Sequence, residues 1–164
     1  YQPAQASGLF NVLAVTAEKQ FRIGGKWNWR TWVVLQQKAG NAPVNLPLIL
    51  TRNQLGYDGN LGFKNLNTSF GLEARYFTPY KANGYSPVIG QFTYQDTTTI
   101  RMRLPEITAY LNFRIRTFTA YLRAENLNTF SLSTGGFRNN NILLPGYPTP
   151  GLQIRFGIMW TFIN

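Results

Sequence analysis

The sequence has 164 residues, enough for one ordinary core, so length alone does not decide between a soluble and a membrane protein. Cysteine and histidine are absent, which excludes a disulfide framework, a thiolate metal site and the Ser-His or Asp-His pairs of many hydrolases. The formal net charge is +10, but lysine and arginine are scattered without a basic block, so no nucleic-acid partner is predicted. We expect no enzyme activity, no cofactor and no metal.

Aromatic residues make up 15% of the chain, yet the mean hydropathy is only −0.20. This combination is expected where apolar and polar residues alternate along strands instead of clustering. No run of eighteen or more apolar residues occurs, so no transmembrane helix is predicted. The sequence therefore indicates an all-β protein, either a transmembrane barrel or a soluble module with similar alternation.

The first half of the chain contains four predicted strands, near 9–23, 26–38, 48–57 and 66–78. Gly24-Gly25 predicts a two-residue hairpin turn, because both central positions of a type I′ turn need positive φ. Residues 58–60, with the sequence DGN, predict the next turn. Trp27 and Trp29 lie beside the first turn, where an interfacial aromatic girdle is expected.

Three more strands are predicted near 105–116, 117–126 and 151–163. The alternation changes phase between Ile115 and Phe118, which places a tight turn at Arg116-Thr117. The last strand has the clearest pattern, with an unbroken apolar set from Leu152 to Phe162. Long polar connections at 39–47, 79–104 and 127–150 are predicted to be loops, with short strand extensions around 91–95.

The lengths of the connections alternate along the chain. Tight turns and long loops fall on opposite sides of the sheet, as in outer-membrane barrels with short periplasmic turns and long extracellular loops. The count of seven strands is odd, whereas single-chain bacterial barrels use even numbers. We therefore expect residues 1–164 to form one barrel segment, the C-terminal part of a larger antiparallel transmembrane β-barrel, unless one strand is missed by the pattern.

Four segments carry a resemblance to a known family: LPLILTRNQLGYDG, GLEARYFTPYKANGYSPVIGQFTYQ, LPEITAYLNFRIRTFTAYLRAENLN and LLPGYPTPGLQIRFGIMWTF. They resemble successive C-terminal segments of the putative porin family of Bacteroidota, from Leu46 to the end of the chain. The most specific parts are RYFTPY with GYSPVIGQF, and PGYPTPG leading into RFGIMWTF. The resemblance implies an outer-membrane barrel longer than this chain.

Two sets of candidate residues follow from the alternation. The polar set is expected to line a pore, and because arginine outnumbers glutamate in it, an open pore is expected to prefer anions. An equally weighted interpretation is that these charges pair and fill a narrow or plugged interior. Glu73 and Arg75, two residues apart on one face, are expected to pair. The pore-lining candidates are Glu18, Arg22, Arg30, Glu73, Arg75, Glu106, Arg114, Arg116, Arg123, Glu125 and Arg155. The lipid-facing candidates are Phe70, Leu72, Leu111, Phe113, Leu122, Ile154, Phe156, Ile158, Trp160 and Phe162.

The leading functional prediction is a porin-like protein of the bacterial outer membrane, either for passive transport of small solutes or as the barrel subunit of a larger complex. Its expected partners are outer-membrane lipid and lipopolysaccharide, the barrel-assembly machinery and other outer-membrane proteins. One alternative is the C-terminal barrel part of a TonB-dependent transporter, which a plug domain upstream would indicate. Another is a soluble all-β binding module, which would turn its apolar face inward.

Overall fold

The computed structural model of the chain describes residues 8–131, 135–137, 141–147 and 149–162. The predicted loop at residues 1–8 therefore lies almost entirely outside the described residues. A short 3-10 helix spans Leu127–Thr129. The strands are, in chain order, β1 (Asn11–Ile23), β2 (Trp27–Ala39), β3 (Ile49–Gly59), β4 (Leu66–Phe77), β5 (Tyr80–Lys81), β6 (Gly84–Ser86), β7 (Gln91–Thr93), β8 (Thr99–Ile100), β9 (Glu106–Ile115), β10 (Phe118–Glu125), β11 (Phe130–Ser131), β12 (Gly136–Phe137) and β13 (Gln153–Trp160).

Seven of these strands form one antiparallel sheet in the order β1-β2-β3-β4-β9-β10-β13, which confirms the all-β prediction. They fall within the predicted segments, except that β2 ends at Ala39 instead of 38 and β3 at Gly59 instead of 57. The seven strands are arranged in the sheet in the same order as in the chain, so each strand pairs with the sheet strand before it and the one after it. This is the order of an up-and-down barrel. The sheet is open over the described residues, with β1 and β13 at its two edges.

The short turns differ in part from their predictions. Ile23 pairs with Trp27, so the first turn contains residues 24–26 and not two residues. Asp58 and Gly59 extend β3, so the next turn occupies residues 60–65; a turn follows β3 as predicted and includes Asn60, but the assignment of Asp58 and Gly59 to it is wrong. The turn at Arg116-Thr117 is confirmed, because Ile115 pairs directly with Phe118. Arg116 has φ 51°, the left-handed conformation that such a tight turn requires.

The register gives the sheet two chemically different faces, because residues directly opposite on neighbouring strands point to the same side. Leu72 lies opposite Leu55, while Phe70 lies opposite Leu111, which in turn lies opposite Leu122. These residues belong to the apolar face. Only a few polar residues interrupt it, and three of them form one row, in which Lys19 lies opposite Thr31 and Thr31 opposite Asn53.

Aromatic side chains form a belt on the apolar face, close to the short turns. Trp27 lies edge-on to Tyr57 and Phe70, with ring centroids 5.5 and 5.9 Å apart, and Phe21 stacks on Trp29 at 5.3 Å. At the other edge of the sheet, Phe118 contacts Trp160 at 6.1 Å and Trp160 stacks on Phe162 at 5.4 Å. The aromatic belt comprises Phe21, Trp27, Trp29, Tyr57, Phe70, Phe113, Phe118, Trp160 and Phe162.

Two glycines allow neighbouring strands to approach closely on the polar face. Gly71 lies directly opposite Gly56, and the Tyr110 hydroxyl lies over both. A Cβ atom built on Gly71 would meet the Leu55 carbonyl oxygen, and would lie 2.7 Å from Gly56 Cα and 2.8 Å from Tyr110 Oη. The Tyr110 hydroxyl also accepts a hydrogen bond from Gln54 Nε2 at 2.8 Å. Because glycine has no side chain, Gly56 and Gly71 leave the space that the Tyr110 hydroxyl occupies.

The long connections at the opposite end of the sheet are partly structured. Residues 79–104, predicted to be a loop, include two small strand pairs, β5 with β8 and β6 with β7. Phe77, Ala82, Ile100 and Met102 form a small buried apolar cluster against Leu50. Since Leu50 and Phe77 are opposite each other on the polar face, this connection folds over that face and covers its end. We call this end of the sheet the loop end.

Asparagine side chains tie the long connections together. Asn45 Nδ2 donates to the Gln95 carbonyl at 2.7 Å and to Asn83 Oδ1 at 3.1 Å, which joins the first connection to the second. Asn141 Nδ2 donates to the Leu104 carbonyl at 2.9 Å, and its Oδ1 accepts from the Arg103 backbone amide at 3.0 Å, which joins the third connection to the second. The three connections therefore form one layer over the loop end.

Candidate functional site: the charged face

The sheet gathers the predicted pore-lining residues on its polar face, with one exception. Residues that lie directly opposite on neighbouring strands point to the same side of the sheet. Arg75 lies opposite Glu106, Asn67 opposite Arg114, and Arg123 opposite Arg155, so these charged side chains share one face. Arg116 is the exception, since it lies in the turn between β9 and β10, where its backbone carbonyl accepts a hydrogen bond from Arg114 Nε at 3.3 Å. The residues on the polar face are Glu18, Arg22, Arg30, Glu73, Arg75, Glu106, Arg114, Arg123, Glu125 and Arg155.

The predicted pairing of Glu73 with Arg75 is not what the structure shows. Glu73 Oε2 accepts a hydrogen bond from an Arg52 guanidinium nitrogen at 2.6 Å, and Arg75 binds Glu106 Oε2 at 3.2 Å. Both pairs cross between strands, because a partner on the neighbouring strand lies closer than the residue two positions along the same strand. Arg52 is thus part of the charged face, although sequence reasoning did not include it.

A second group of charges lies near the β13 edge. Glu125 binds two arginines, Arg123 through Oε1 at 2.9 Å and Arg155 through Oε2 at 3.2 Å. Arg155 also donates to Gln153 Oε1 at 3.1 Å. The two arginines lie directly opposite each other, an arrangement that repulsion disfavours, and they share one carboxylate. This group therefore keeps one uncompensated positive charge.

Contacts near the β1 edge are looser and more polar. Arg30 lies 3.9 Å from Glu18 and donates to Gln20 Oε1 at 3.2 Å. Asn28 Nδ2 donates to Asp58 Oδ2 at 2.6 Å, so Asp58, which was assigned to a turn, also belongs to the charged face. Hydrogen bonds and ion pairs therefore occur across the whole width of the sheet.

Basic and acidic side chains on this face differ in their access to solvent. The Arg52 and Arg75 side chains are 52% and 55% exposed, whereas their partners Glu73 and Glu106 are 8% and 7% exposed. The guanidinium groups lie on top, and the carboxylates lie beneath them. A solute approaching this part of the face meets positive charge first, even where each arginine has an acidic partner.

Glu125 binds two arginines, whereas Glu18 has a single long contact with Arg30, so removing these two carboxylates is expected to have unequal costs. Glu125→Gln is expected to lower the free energy of unfolding by about 1.5–3 kcal/mol, because two opposed arginines lose their shared charged acceptor. Glu18→Gln is the control, expected to cost at most about 1 kcal/mol since its contact with Arg30 is long and exposed. Urea unfolding in lipid vesicles gives both values, and equal costs would contradict the shared role of Glu125.

The predicted lipid-facing residues lie on the other face. Nine of them are strand residues whose cross-strand pairing places their side chains on the same face of the sheet, and Phe162 follows the end of β13. On the edge strand β13 their side chains are widely exposed, with Phe156 at 77%. Nothing in the described part of the chain covers this edge of the apolar face. Contact of these side chains with lipid stays a prediction.

A depression of about 450 Å³ lies on the charged face at the loop end. Its charged lining is formed by Arg52, Arg75 and Glu106, and its apolar walls by Trp32, Leu50, Tyr80 and Met102 among others. Burial raises the pKa of Tyr80 above its ordinary value. We call this depression the arginine pocket.

Sequence reasoning did not assign a role to Trp32, although the alternation along the strand places it on the polar side with Asn28 and Arg30. Trp32 is opposite both Arg52 and Glu18, so a large aromatic residue stands among charges. The alternation of Trp27, Trp29 and Thr31 against Asn28, Arg30 and Trp32 contains this signal.

In the described residues, no group of His, Cys, Asp and Glu could hold a metal ion, and no helix is long and apolar enough to span a membrane.

An antiparallel sheet with one charged face, one exposed apolar face and an aromatic belt is the arrangement of the porin class of β-barrel proteins. A family model described as Putative porin matches residues 1–164, the whole chain. The chain belongs to this family. Family membership points to a porin-like function in the outer membrane. Neither a curated protein nor a solved structure matches the chain. The family match names no organism, so an origin in Bacteroidota stays a prediction.

Proposed function

We propose that this chain contributes seven strands to an outer-membrane β-barrel through which small solutes pass passively. The observation that carries the proposal is the separation of the two faces, with charges and the arginine pocket on one and exposed apolar residues with the aromatic belt on the other. Sheet strands of 8 to 13 residues are close to the roughly 9–11 residues that a tilted transmembrane strand needs.

The sidedness of the proposed barrel follows from the connections. The short turns lie beside the aromatic belt, and the three long connections form a layer at the loop end. In outer-membrane barrels short turns face the periplasm and long loops face outside. The proposal therefore places the arginine pocket near the external mouth. It assigns no catalytic activity, and the partners are membrane lipid, lipopolysaccharide and the barrel-assembly machinery.

Ion selectivity tests this function. The whole protein, reconstituted in a planar bilayer under a KCl gradient, is expected to conduct and to give a reversal potential favouring chloride. The physical reason is the exposure of guanidinium groups above buried carboxylates, since charged groups lining a pore set its ion preference. The preference is expected to weaken at high salt, because the Debye length falls to about 3 Å at 1 M.

Matched variants locate the source of the selectivity. Arg155→Gln is expected to shift the reversal potential toward zero, because it removes the excess charge of the Glu125 group. Lys19→Gln removes the same charge from the apolar face and is expected to leave the potential unchanged. Absence of conductance would contradict passive transport, and preference for potassium would contradict the assigned charge of the face.

A second candidate function is a barrel subunit of a larger outer-membrane complex. The hairpin of β6 and β7 favours it, because Val88 in its turn is 92% exposed and Phe92 on β7 is 66% exposed. Apolar side chains exposed together mark protein contact sites. Replacing Val88 and Phe92 with serine is expected to release a partner that copurifies with the wild-type protein while conductance stays the same. Unchanged copurification would remove this support.

A further inference from the structure

The arginine pocket has two guanidinium groups placed side by side. Arg52 and Arg75 are directly opposite on β3 and β4, where like charges repel. Each is held from below by a separate buried carboxylate, Glu73 or Glu106. A guanidinium has five donors, and one carboxylate does not use all of them. The half-exposed arginines therefore have donors available to a solute, and guanidinium donors form strong charge-assisted hydrogen bonds with anionic oxygens.

The walls of the pocket favour a solute that is more than a simple anion. Trp32 and Tyr80 supply aromatic surface, and Leu50 and Met102 supply aliphatic surface. An inorganic ion would make no use of this surface. A compact ring with C–H groups on one side would cover it, because apolar contact with an aromatic face is favourable.

The third feature is an acceptor without a donor. Glu106 Oε2 binds Arg75, but Glu106 Oε1 is buried and has no hydrogen-bond partner among the described residues. A buried charged oxygen without a partner is costly, so such a group calls for an explanation. Glu106 lines the pocket, and a rotation of its carboxyl group that brings Oε1 to the pocket surface would let a hydroxyl group of a bound solute supply the missing donor.

From these three features we infer that the arginine pocket binds a sugar that carries a carboxylate, a uronate-type monosaccharide or its short oligomer. The carboxylate binds Arg52 and Arg75, one face of the ring lies against Trp32, and a ring hydroxyl donates to the Glu106 carboxyl group once that group has turned toward the pocket. The inference rests on the proposed function, since the pocket lies on the face that would line the pore, and it names the class of solute.

Three probes of similar size separate the contributions. Binding to the whole protein in detergent is measured by isothermal titration calorimetry with glucuronate, glucose and cyclohexanecarboxylate. Glucose lacks the carboxylate, and cyclohexanecarboxylate lacks the hydroxyl groups. Glucuronate is expected to bind at least tenfold more tightly than either. Equal binding of glucuronate and cyclohexanecarboxylate would show a general anion site and overturn the inference, as would tighter binding of glucose.

Two tryptophan variants test the place of binding. Trp32→Leu is expected to weaken glucuronate binding at least fivefold, while Trp27→Leu, the same change on the apolar face, is expected to leave it unchanged. The folded fraction of both is checked by the heat-dependent mobility shift of barrels in gels. Folded Trp32→Leu protein with full affinity would overturn the site.

The calorimetric arm keeps this inference separate from the proposed function. A conducting pore that fails to bind glucuronate would leave passive transport standing and reject the pocket. A protein that binds glucuronate with the expected preference but does not conduct would reject passive transport and retain the binding site.

Discussion

Leu111→Arg is expected to destabilise the folded protein by about 2–4 kcal/mol in a lipid bilayer, the cost of a cationic side chain at mid-membrane depth on the outside of a barrel. Leu111 lies near the middle of β9, and its neighbours across the strands are Phe70 and Leu122, so no carboxylate is at hand to compensate. The measurement is reversible unfolding from lipid vesicles in guanidinium chloride.

Asn112→Arg is the matched control, one residue further along the same strand. Asn112 is exposed on the charged face, between Ser69 and Tyr121, with no charge directly opposite. The cost there is expected to stay within about 0.5 kcal/mol, as for most surface substitutions. The reverse order, with Asn112→Arg the more damaging variant, would show that the apolar face points inward and that the chain is a soluble-type module.

Gly71→Ala is the second substitution with a large expected effect. Its Cβ atom would meet the Leu55 carbonyl and Gly56 Cα, which are backbone atoms and cannot move aside as a flexible side chain can. Overpacking of this kind costs about 1–3 kcal/mol, and the upper part of that range is expected here. The hydroxyl of Tyr110 would also be displaced, with its hydrogen bond from Gln54.

Gly151→Ala provides the control, since nothing lies within 4 Å of a Cβ built there and Gly151 does not have a positive φ. The folded fraction of each variant after refolding into vesicles is the measurement. A second variant, Gly71→Ala combined with Tyr110→Phe, tests the mechanism, because removing the hydroxyl is expected to restore part of the loss. Wild-type folding of Gly71→Ala would contradict the close approach of β3 and β4.

Most of the sheet was predictable because the alternation is strong where a strand has one apolar and one polar face. The phase change between Ile115 and Phe118 located the turn at Arg116-Thr117, since a register change is visible in sequence alone. The strand β3 was harder. In LILTRNQLGYDG neither set is purely apolar, and Asp58-Gly59 has turn composition although it belongs to the strand.

The candidate site was less predictable than the fold. Arg52 was missed because its strand had an unclear pattern, and Glu73 was assigned to Arg75 because sequence shows only neighbours along one strand. Which residue lies opposite depends on the register between strands, and the register depends on the turns that were misplaced by one or more residues. The folding of residues 79–104 over the charged face depends on contacts distant in sequence, such as Met102 against Phe77. No local pattern contains that information.

The aromatic belt also has a consequence for how such a barrel would adapt to membranes of different thickness. Large rings anchor a protein at one level of the lipid-water boundary, and in this sheet they gather beside the short turns. Near the loop end, Tyr76 is the sole aromatic residue among the described strand positions of the apolar face. In the proposed barrel, the sheet would therefore be anchored vertically at one boundary only. A thinner or thicker bilayer would leave that level fixed, and the mismatch would be taken up at the opposite boundary, where aliphatic rows can cross into the headgroups at a cost of fractions of a kcal/mol per Å.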